Sequence, residues 1–462
     1  MLKKNDEYVA VIEGTGSNGE GVAKIEGCAV FIPYALEGET VKVKIVNAKN
    51  SYAFGKLIEV ISPSPFRCEP PCPVFYKCGG CNLQHVNYER QLEIKSQTVR
   101  DCFKKIACID VDVPLTVSAG EQYRYRNKLQ LPIRNINGKN VIGFFRENSH
   151  DIVPIEDCLI QREWVRGLIR CINEYISLGV SCFNDATGKG YLKHVVAREV
   201  GGKLIVVIVC TSDKILFANR LKEILQREFK EFSLFFNTNK LNNNVVLGDK
   251  FTLVYGEEKI MAQEGGLILP MGPESFMQVN DGVRKLIYDK VSAAVNENAN
   301  STVIDAYSGA GFLTAMLARR ADRVYGIECV REAVDCANRL AEENGLSGKI
   351  TNVCGLCEDV LPELIKKEDG DICVVLDPPR KGCARAVVEA VAEANPKKLI
   401  YVSCNPSTLA RDVGLLLGTL GYDGNELKKT GTKPKYNMDF VQPYDMFPNT
   451  RHVETVVRLS RQ

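Results

Sequence analysis

Val303-Ile304-Asp305-Ala306-Tyr307-Ser308-Gly309-Ala310-Gly311 reads as a strand, a turn and the start of a helix. An apolar run that ends in an acid and passes into glycines lets a backbone come close to a ligand beneath a helix N-terminus. Working outward, Val324-Tyr325-Gly326-Ile327-Glu328 is a second apolar run ending in a carboxylate, one strand–helix–strand step later. Ile372-Cys373-Val374-Val375-Leu376 runs into Asp377-Pro378-Pro379-Arg380, and Leu399-Ile400-Tyr401-Val402-Ser403 runs into Cys404-Asn405-Pro406. Proline stops both strands. This alternation predicts a doubly wound, Rossmann-like α/β domain over residues 263–462. Asp305, Glu328, Asp377 and Cys404 share its carboxyl edge, where open sheets bind ligands.

An acid at the end of the second strand can accept hydrogen bonds from both ribose hydroxyls of an adenosine. Gly309-Ala310-Gly311 departs from the G-x-G-x-x-G pattern and leaves little cradle for a pyrophosphate. S-adenosylmethionine carries no phosphate, so the short turn suits it better than NAD. A free cysteine is ordinarily buried packing, but Cys404 ends a strand beside this expected cofactor. Near the C-terminus, Arg451-His452-Val453-Glu454-Thr455-Val456-Val457 offers Glu454 or His452 as a base; an exposed strand carboxylate would look the same.

The rest of the 462-residue chain bounds the class. Its length suggests about three domains. A hydrophobic fraction of 45% and a charged fraction of 25% suit a folded protein, and the net charge of +2 does not announce a nucleic-acid binder by itself. Met1-Leu2-Lys3-Lys4 meets charge at once, and no apolar run reaches membrane-spanning length, so the cytoplasm is expected, with no membrane association. Residues 1–62 show short alternating strands, such as Val41-Lys42-Val43-Lys44-Ile45-Val46, separated by glycine turns, which predicts an OB-like barrel. Pro63, Pro65, Pro70, Pro71 and Pro73 mark a boundary, and residues 63–262 are expected to form a central α+β domain. Eighteen cysteines are mostly expected to be buried thiols. Cys72, Cys78 and Cys81 form a local group, with Cys68 and His85 nearby.

Taken in order, Gln278-Val279-Asn280, Asp305-Ala306-Tyr307-Ser308-Gly309, Gly326-Ile327-Glu328, Asp377-Pro378-Pro379-Arg380, Ser403-Cys404-Asn405-Pro406 and His452-Val453-Glu454 resemble the RNA uracil-5-methyltransferase family. That family includes bacterial 23S rRNA enzymes and the tRNA thymine-loop enzyme. The resemblance implies that Gln278, Tyr307, Glu328 and Asp377 bind S-adenosyl-L-methionine, that Cys404 is the nucleophile, and that Glu454 is the proton acceptor. It explains the wish for a thiol. Carbon 5 of uracil is a poor nucleophile until a thiolate adds to carbon 6, and a base must then remove the carbon 5 proton.

The same resemblance implies a TRAM barrel for RNA binding and a [4Fe-4S] cluster on Cys72, Cys78, Cys81 and Cys158. Read locally, a zinc site on Cys68, Cys72, Cys78 and Cys81, or free thiols, stays open. By resemblance the helix near residues 86–113 packs on the catalytic domain. TRAM and cluster together imply 23S rRNA, at one site or two, over tRNA. Tyr123-Arg124-Tyr125-Arg126-Asn127-Lys128 interleaves aromatics with cations, as an RNA contact would. No obligate protein partner is expected. A non-catalytic RNA-binding assembly factor or a redox protein on the same scaffold would not require Cys404 and Glu454 together.

Overall fold

The computed structural model describes residues 2–16, 19–295, 301–368, 371–430 and 434–462. Strands β1 (Glu7–Thr15), β2 (Gly21–Ile25), β3 (Cys28–Ile32), β4 (Thr40–Ala48) and β5 (Tyr52–Ser62) close into a barrel in the order β1-β2-β3-β5-β4. Period-two alternation drives it: Val41, Val43 and Ile45 are fully buried, while the residues between them face outward. Glu39 has no solvent exposure and pairs in two places with Arg67, which ties the barrel to the following segment.

The chain then enters helix α1 (Tyr88–Cys102), capped by Asn87 and continued by a π-helical turn at Phe103–Ala107. A central sheet follows, built from β6 (Lys128–Ile136), β7 (Lys139–Phe145), β8 (Ile152–Pro154), β9 (Leu192–Val200), β10 (Lys203–Cys210), β11 (Phe232–Thr238) and β12 (Lys250–Tyr255). Its order is β12-β11-β10-β9-β6-β7-β8. Helices α2 (Trp164–Ser177) and α3 (Ala218–Glu228) pack their apolar faces against it, in a core that includes Leu131, Ile172, Val206 and Leu225.

Hairpin β13 (Ile260–Glu264) and β14 (Leu267–Met271) leads into the C-terminal sheet. Its strands are β15 (Thr302–Ala306), β16 (Arg323–Glu328), β17 (Ile350–Cys354), β18 (Ile372–Leu376) and β19 (Lys398–Ser403), all parallel, with the order β17-β16-β15-β18-β19. A small hairpin, β20 (Leu420–Asp423) with β21 (Glu426–Lys429), precedes β22 (Tyr436–Tyr444) and β23 (Glu454–Arg461), which close the large sheet antiparallel beside β19. Helices α4 (Asp281–Val295), α5 (Phe312–Leu317) and α6 (Arg331–Glu343) cover one face. Helices α7 (Cys357–Lys367), α8 (Arg385–Ala394) and α9 (Pro406–Leu417) cover the other.

Helix α1 also lies on that second face. Val99, Cys102, Phe103 and Ala107 share one core with Leu409, Val413 and Leu416 of α9, far away in sequence. No helix of the described residues is long and apolar enough to cross a membrane.

Candidate active site

The five parallel strands end at one edge, and a cavity of about 1400 Å³ opens there. Gln278, Tyr307, Glu328, Asp377, Cys404 and Glu454 all line it. Residues separated by up to 176 positions in the chain (454 − 278) thus converge because each lies at an end of a strand, or in a loop, along one edge of the sheet.

The turn after β15 is shaped by its residues. Tyr307 adopts φ +67°, an uncommon left-handed conformation for an aromatic residue, of the kind that concentrates at ligand sites. Gly311 has φ +82°, and a Cβ there would lie 2.7 Å from Cβ of Ala337. Only glycine lets α5 start so close to α6. Beneath the turn, Asp305 is buried and accepts a hydrogen bond from Thr314 Oγ1 at 2.6 Å, with burial pushing its carboxyl up to about 7. Gln278 sits in a loop whose backbone carbonyls are gripped by neighbouring side chains. Asn127 and Arg284 donate to its own carbonyl oxygen, and Arg198 donates to those of Ser275 and Met277.

Asp377 follows β18, and its backbone N–H donates to the carbonyl of Ala306 at 3.3 Å. Burial raises its carboxyl to about 7. Three residues on, the carbonyl of Arg380 accepts from Asn405 Nδ2 at 2.9 Å and Thr408 Oγ1 at 3.3 Å, which brings the Asp377–Arg380 turn against the start of α9.

Antiparallel pairing of β19 with β23 runs from Lys398 opposite Ser460 to Ser403 opposite Thr455. Cys404 directly follows Ser403 and Glu454 directly precedes Thr455, while Glu454 itself pairs with Tyr444 of β22. Glu454 is 3% exposed, and burial, reinforced by Asp377 and opposed by Arg380, pushes its carboxyl up to about 8. Burial and the Glu454 carboxylate push the half-buried Cys404 thiol up to about 11, against the pull of Arg380. Burial lowers His452 to about 4, with Arg380 and Arg451 adding to the shift, and His452 is absent from the cavity wall. Arg380 and Phe447 also line the cavity. Neither residue carries a chemical signal of its own in the sequence, although Arg380 closes the Asp377-Pro378-Pro379-Arg380 motif.

Outside the cavity, Cys72, Cys78, Cys81 and Cys158 form one electrostatic group. Burial raises Cys81 to about 12, and the thiols of Cys158, Cys78 and Cys72 add to the shift. Cys158 is raised to about 11 by burial, with Cys78 and Cys72 adding. The Gly80 N–H points at Cys78 Sγ at 3.4 Å, and backbone N–H groups of Gln161 and Ile160 favour a Cys158 thiolate. Among the described residues no three His, Cys, Asp or Glu side chains converge as ligands of one metal ion do. Cys68 donates its thiol hydrogen to the carbonyl of Gln84 at 3.4 Å, and His85 is buried between the rings of Tyr34 and Phe75.

The aromatic–cation run expected to touch RNA is largely committed inside the protein. Tyr125 is 1% exposed and donates to the carbonyl of Pro448 at 3.1 Å. Arg124 forms a two-point pair with Asp157 and also donates to the carbonyls of Cys158 and Gln161, so it holds the Cys158 loop.

Comparison with known proteins gives this edge a context. Residues 2–58 match the TRAM domain, and residues 363–462 match the tRNA (Uracil-5-)-methyltransferase model. Residues 300–386 match the RNA cap guanine-N2 methyltransferase model. An uncharacterized RNA methyltransferase of Clostridium tetani is 39% identical, with 99% of this chain and 97% of that protein covered. One from Bacillus cereus is 38% identical, with 100% and 98% covered. Among solved structures, the tRNA (uracil-54, C5)-methyltransferase of Pyrococcus abyssi, in complex with S-adenosyl-L-homocysteine, superposes with a TM-score of 0.76 and 26% identity. That match covers 98% of this chain and 100% of that one. A TRAM barrel joined to a parallel sheet whose edge gathers these side chains, in a chain matched end to end by such relatives, belongs to the S-adenosylmethionine-dependent RNA uracil-5-methyltransferase family.

Proposed function

We propose that this enzyme methylates carbon 5 of a uracil in 23S rRNA through a covalent adduct on Cys404. The observation that carries the reading is that Cys404, one residue past β19, and Glu454, the first residue of β23, flank the paired Ser403 and Thr455 and line one cavity with Asp377. Gln278, Tyr307, Glu328 and Asp377 would hold S-adenosylmethionine, which supplies an electrophilic methyl group. Cys404 Sγ adds as thiolate to carbon 6 and makes carbon 5 nucleophilic. After carbon 5 is methylated, the Glu454 carboxylate takes its proton, the carbon 5–carbon 6 double bond re-forms, and the Cys404 thiolate leaves. Glu454, raised to about 8, is the stronger base than His452, lowered to about 4. A target base in folded RNA must leave its stack to reach this depth.

The cysteine group fits a [4Fe-4S] cluster on Cys72, Cys78, Cys81 and Cys158 better than zinc. Four separate irons do not require the sulfurs to meet at one ion, and Cys68, which zinc would need, is turned to a carbonyl. Backbone N–H groups aimed at Cys78 and Cys158 suit thiolate ligands. The cluster with the TRAM barrel supports rRNA as substrate. The Pyrococcus neighbour supports a second reading, tRNA, because that protein acts on tRNA.

Two measurements test the proposal. Mapping 5-methyluridine in rRNA and tRNA from cells with and without the protein assigns the substrate; loss confined to tRNA refutes the rRNA reading. Cys404→Ala should abolish methylation while sparing cofactor binding, and normal turnover would sink the mechanism.

A further inference from the structure

The loop joining β22 to β23 carries Phe447 to the cavity wall and delivers Glu454 to the same cavity as Cys404. Its contacts come mostly from outside its own domain. Asn449, fully buried and left-handed at φ +66°, has every polar group engaged. Its N–H donates to Gln91 Oε1 at 3.0 Å, and its carbonyl accepts from the N–H groups of Asn82 and Leu83 at 3.1 and 3.0 Å. Its side-chain amide donates to the carbonyl of Gln122 at 2.8 Å, and its Oδ1 accepts from Gln122 Nε2 at 3.0 Å and Gln91 Nε2 at 3.3 Å.

One turn after Gln91 on α1, Lys95 is 1% exposed and pairs with the fully buried Asp445 of the loop at 2.5 Å. Lys95 Nζ also donates to the carbonyl of Phe447 at 3.1 Å, and Tyr88 donates to Asp445 at 2.9 Å. From Phe447 the bonds run on toward the base. Thr450 Oγ1 donates to the Phe447 carbonyl at 2.8 Å, and the His452 N–H donates to Thr450 Oγ1 at 3.3 Å. A salt bridge sealed from water is a poor source of stability but a strict geometric constraint. A buried non-glycine residue at positive φ persists only where its surroundings over-determine it.

We propose that Lys95, acting through Asp445, and Asn449, held by Gln91, Gln122 and the Asn82–Leu83 backbone, are positioning residues that set Glu454 for removal of the carbon 5 proton. They touch no substrate and act on the second half of the reaction alone. Cys404 directly follows β19, outside this loop, so nucleophilic addition does not depend on them. Because Asn82 directly follows Cys81, the segment that bears the cysteine group is also the one that braces the base loop. This inference rests on Glu454 as the base.

The test uses full-length enzyme, labelled S-adenosylmethionine, and unmethylated 23S rRNA and tRNA transcripts, with Lys95→Met, Asn449→Ala and the milder Gln122→Ala beside Glu454→Gln. Misplacing a catalytic group by a fraction of a contact distance costs about 10- to 100-fold in rate. Lys95→Met and Asn449→Ala should lose that much turnover, keep cofactor affinity, and accumulate a denaturation-resistant protein–RNA adduct, as Glu454→Gln does. Gln122→Ala should show the same adduct with a smaller loss. Wild-type turnover, or slow turnover with no adduct above wild type, overturns the proposal. If Lys95→Met and Asn449→Ala fail to fold, Gln122→Ala decides alone. If Glu454→Gln itself traps nothing, the reading of Glu454 as base falls and takes this inference with it; trapping by Glu454→Gln only overturns the positioning role and leaves the base in place.

Discussion

The Glu328 carboxylate accepts the backbone N–H of Gly309 at 3.1 Å, so the acid that ends the second strand and the glycine turn after the first hold each other. Its other oxygen accepts the N–H of Val330 at 2.9 Å. The carboxylate is thereby fixed on the cavity wall with acceptor capacity left for ribose hydroxyls. Hydrogen bonds to a charged group contribute about 1.5–3 kcal/mol. Glu328→Ala should therefore weaken S-adenosylmethionine binding roughly 10- to 100-fold by calorimetry. An unchanged affinity would remove Glu328 from the cofactor site.

The acidic residues around Cys404 make turnover depend on pH in a stated direction. Burial raises Glu454 to about 8, so at neutral pH it is mostly protonated and cannot accept a proton. Cys404, at about 11, is likewise mostly thiol. Both reactive forms gain as pH rises, and kcat should climb from pH 6 and bend near 8 on the Glu454 limb. Asp377 pushes Glu454 up and Arg380 pulls it down. Asp377→Asn should shift the bend to lower pH and Arg380→Met to higher pH, whatever each does to the maximal rate. A profile falling from pH 6 to 8 would contradict Glu454 acting as a base.

What the sequence made legible follows from how local each signal is. Asp305 to Gly311 and Ser403 to Pro406 disclose strand ends, because an apolar run followed by glycine or proline decides its own termination. The convergence of Cys404 and Glu454 on one cavity is not local. β23 returns some 50 residues after β19 (454 − 404), and no spacing rule fixes an antiparallel register across that gap. Only the family resemblance pointed there. Tyr125 and Arg124 show the opposite failure. Alternating rings and cations look like an RNA groove, yet the fold spends them on Pro448 and Asp157. Asn449 is invisible in sequence, since a polar loop residue reads as a turn until its partners from residues 82 to 122 arrive.

Glu39 predicts the stability of the barrel junction. Burial alone would raise its carboxyl, but the Arg67 guanidinium and the N–H groups of Leu36 and Ser64 outweigh burial and hold it below the usual carboxylate range. A carboxyl lowered by folding stabilises the fold above its unfolded value, and that contribution fades as pH falls through the folded value. Removing one partner of a buried pair costs about 3–5 kcal/mol. Arg67→Met should lower the unfolding midpoint by that equivalent at pH 7, with the deficit shrinking toward pH 3. A deficit that grows with acid would refute the pairing as its cause.

The cysteine group makes a prediction that separates the two metal readings. If Cys72, Cys78, Cys81 and Cys158 hold a [4Fe-4S] cluster, protein prepared without oxygen should be brown, with broad visible absorption and four irons per chain (roughly, as for such clusters). Cys81→Ser or Cys158→Ser should bleach it. Cys68→Ser should leave the colour intact, because that thiol is engaged with the Gln84 carbonyl. Zinc on Cys68, Cys72, Cys78 and Cys81 would reverse the pattern, giving colourless protein in which Cys68→Ser loses metal and Cys158→Ser does not. Arg124 refines the test, since it grips Asp157 and the carbonyls of Cys158 and Gln161 without touching any sulfur. Arg124→Met should therefore load iron more slowly and release it faster than wild type, while the absorption spectrum of what remains bound is unchanged.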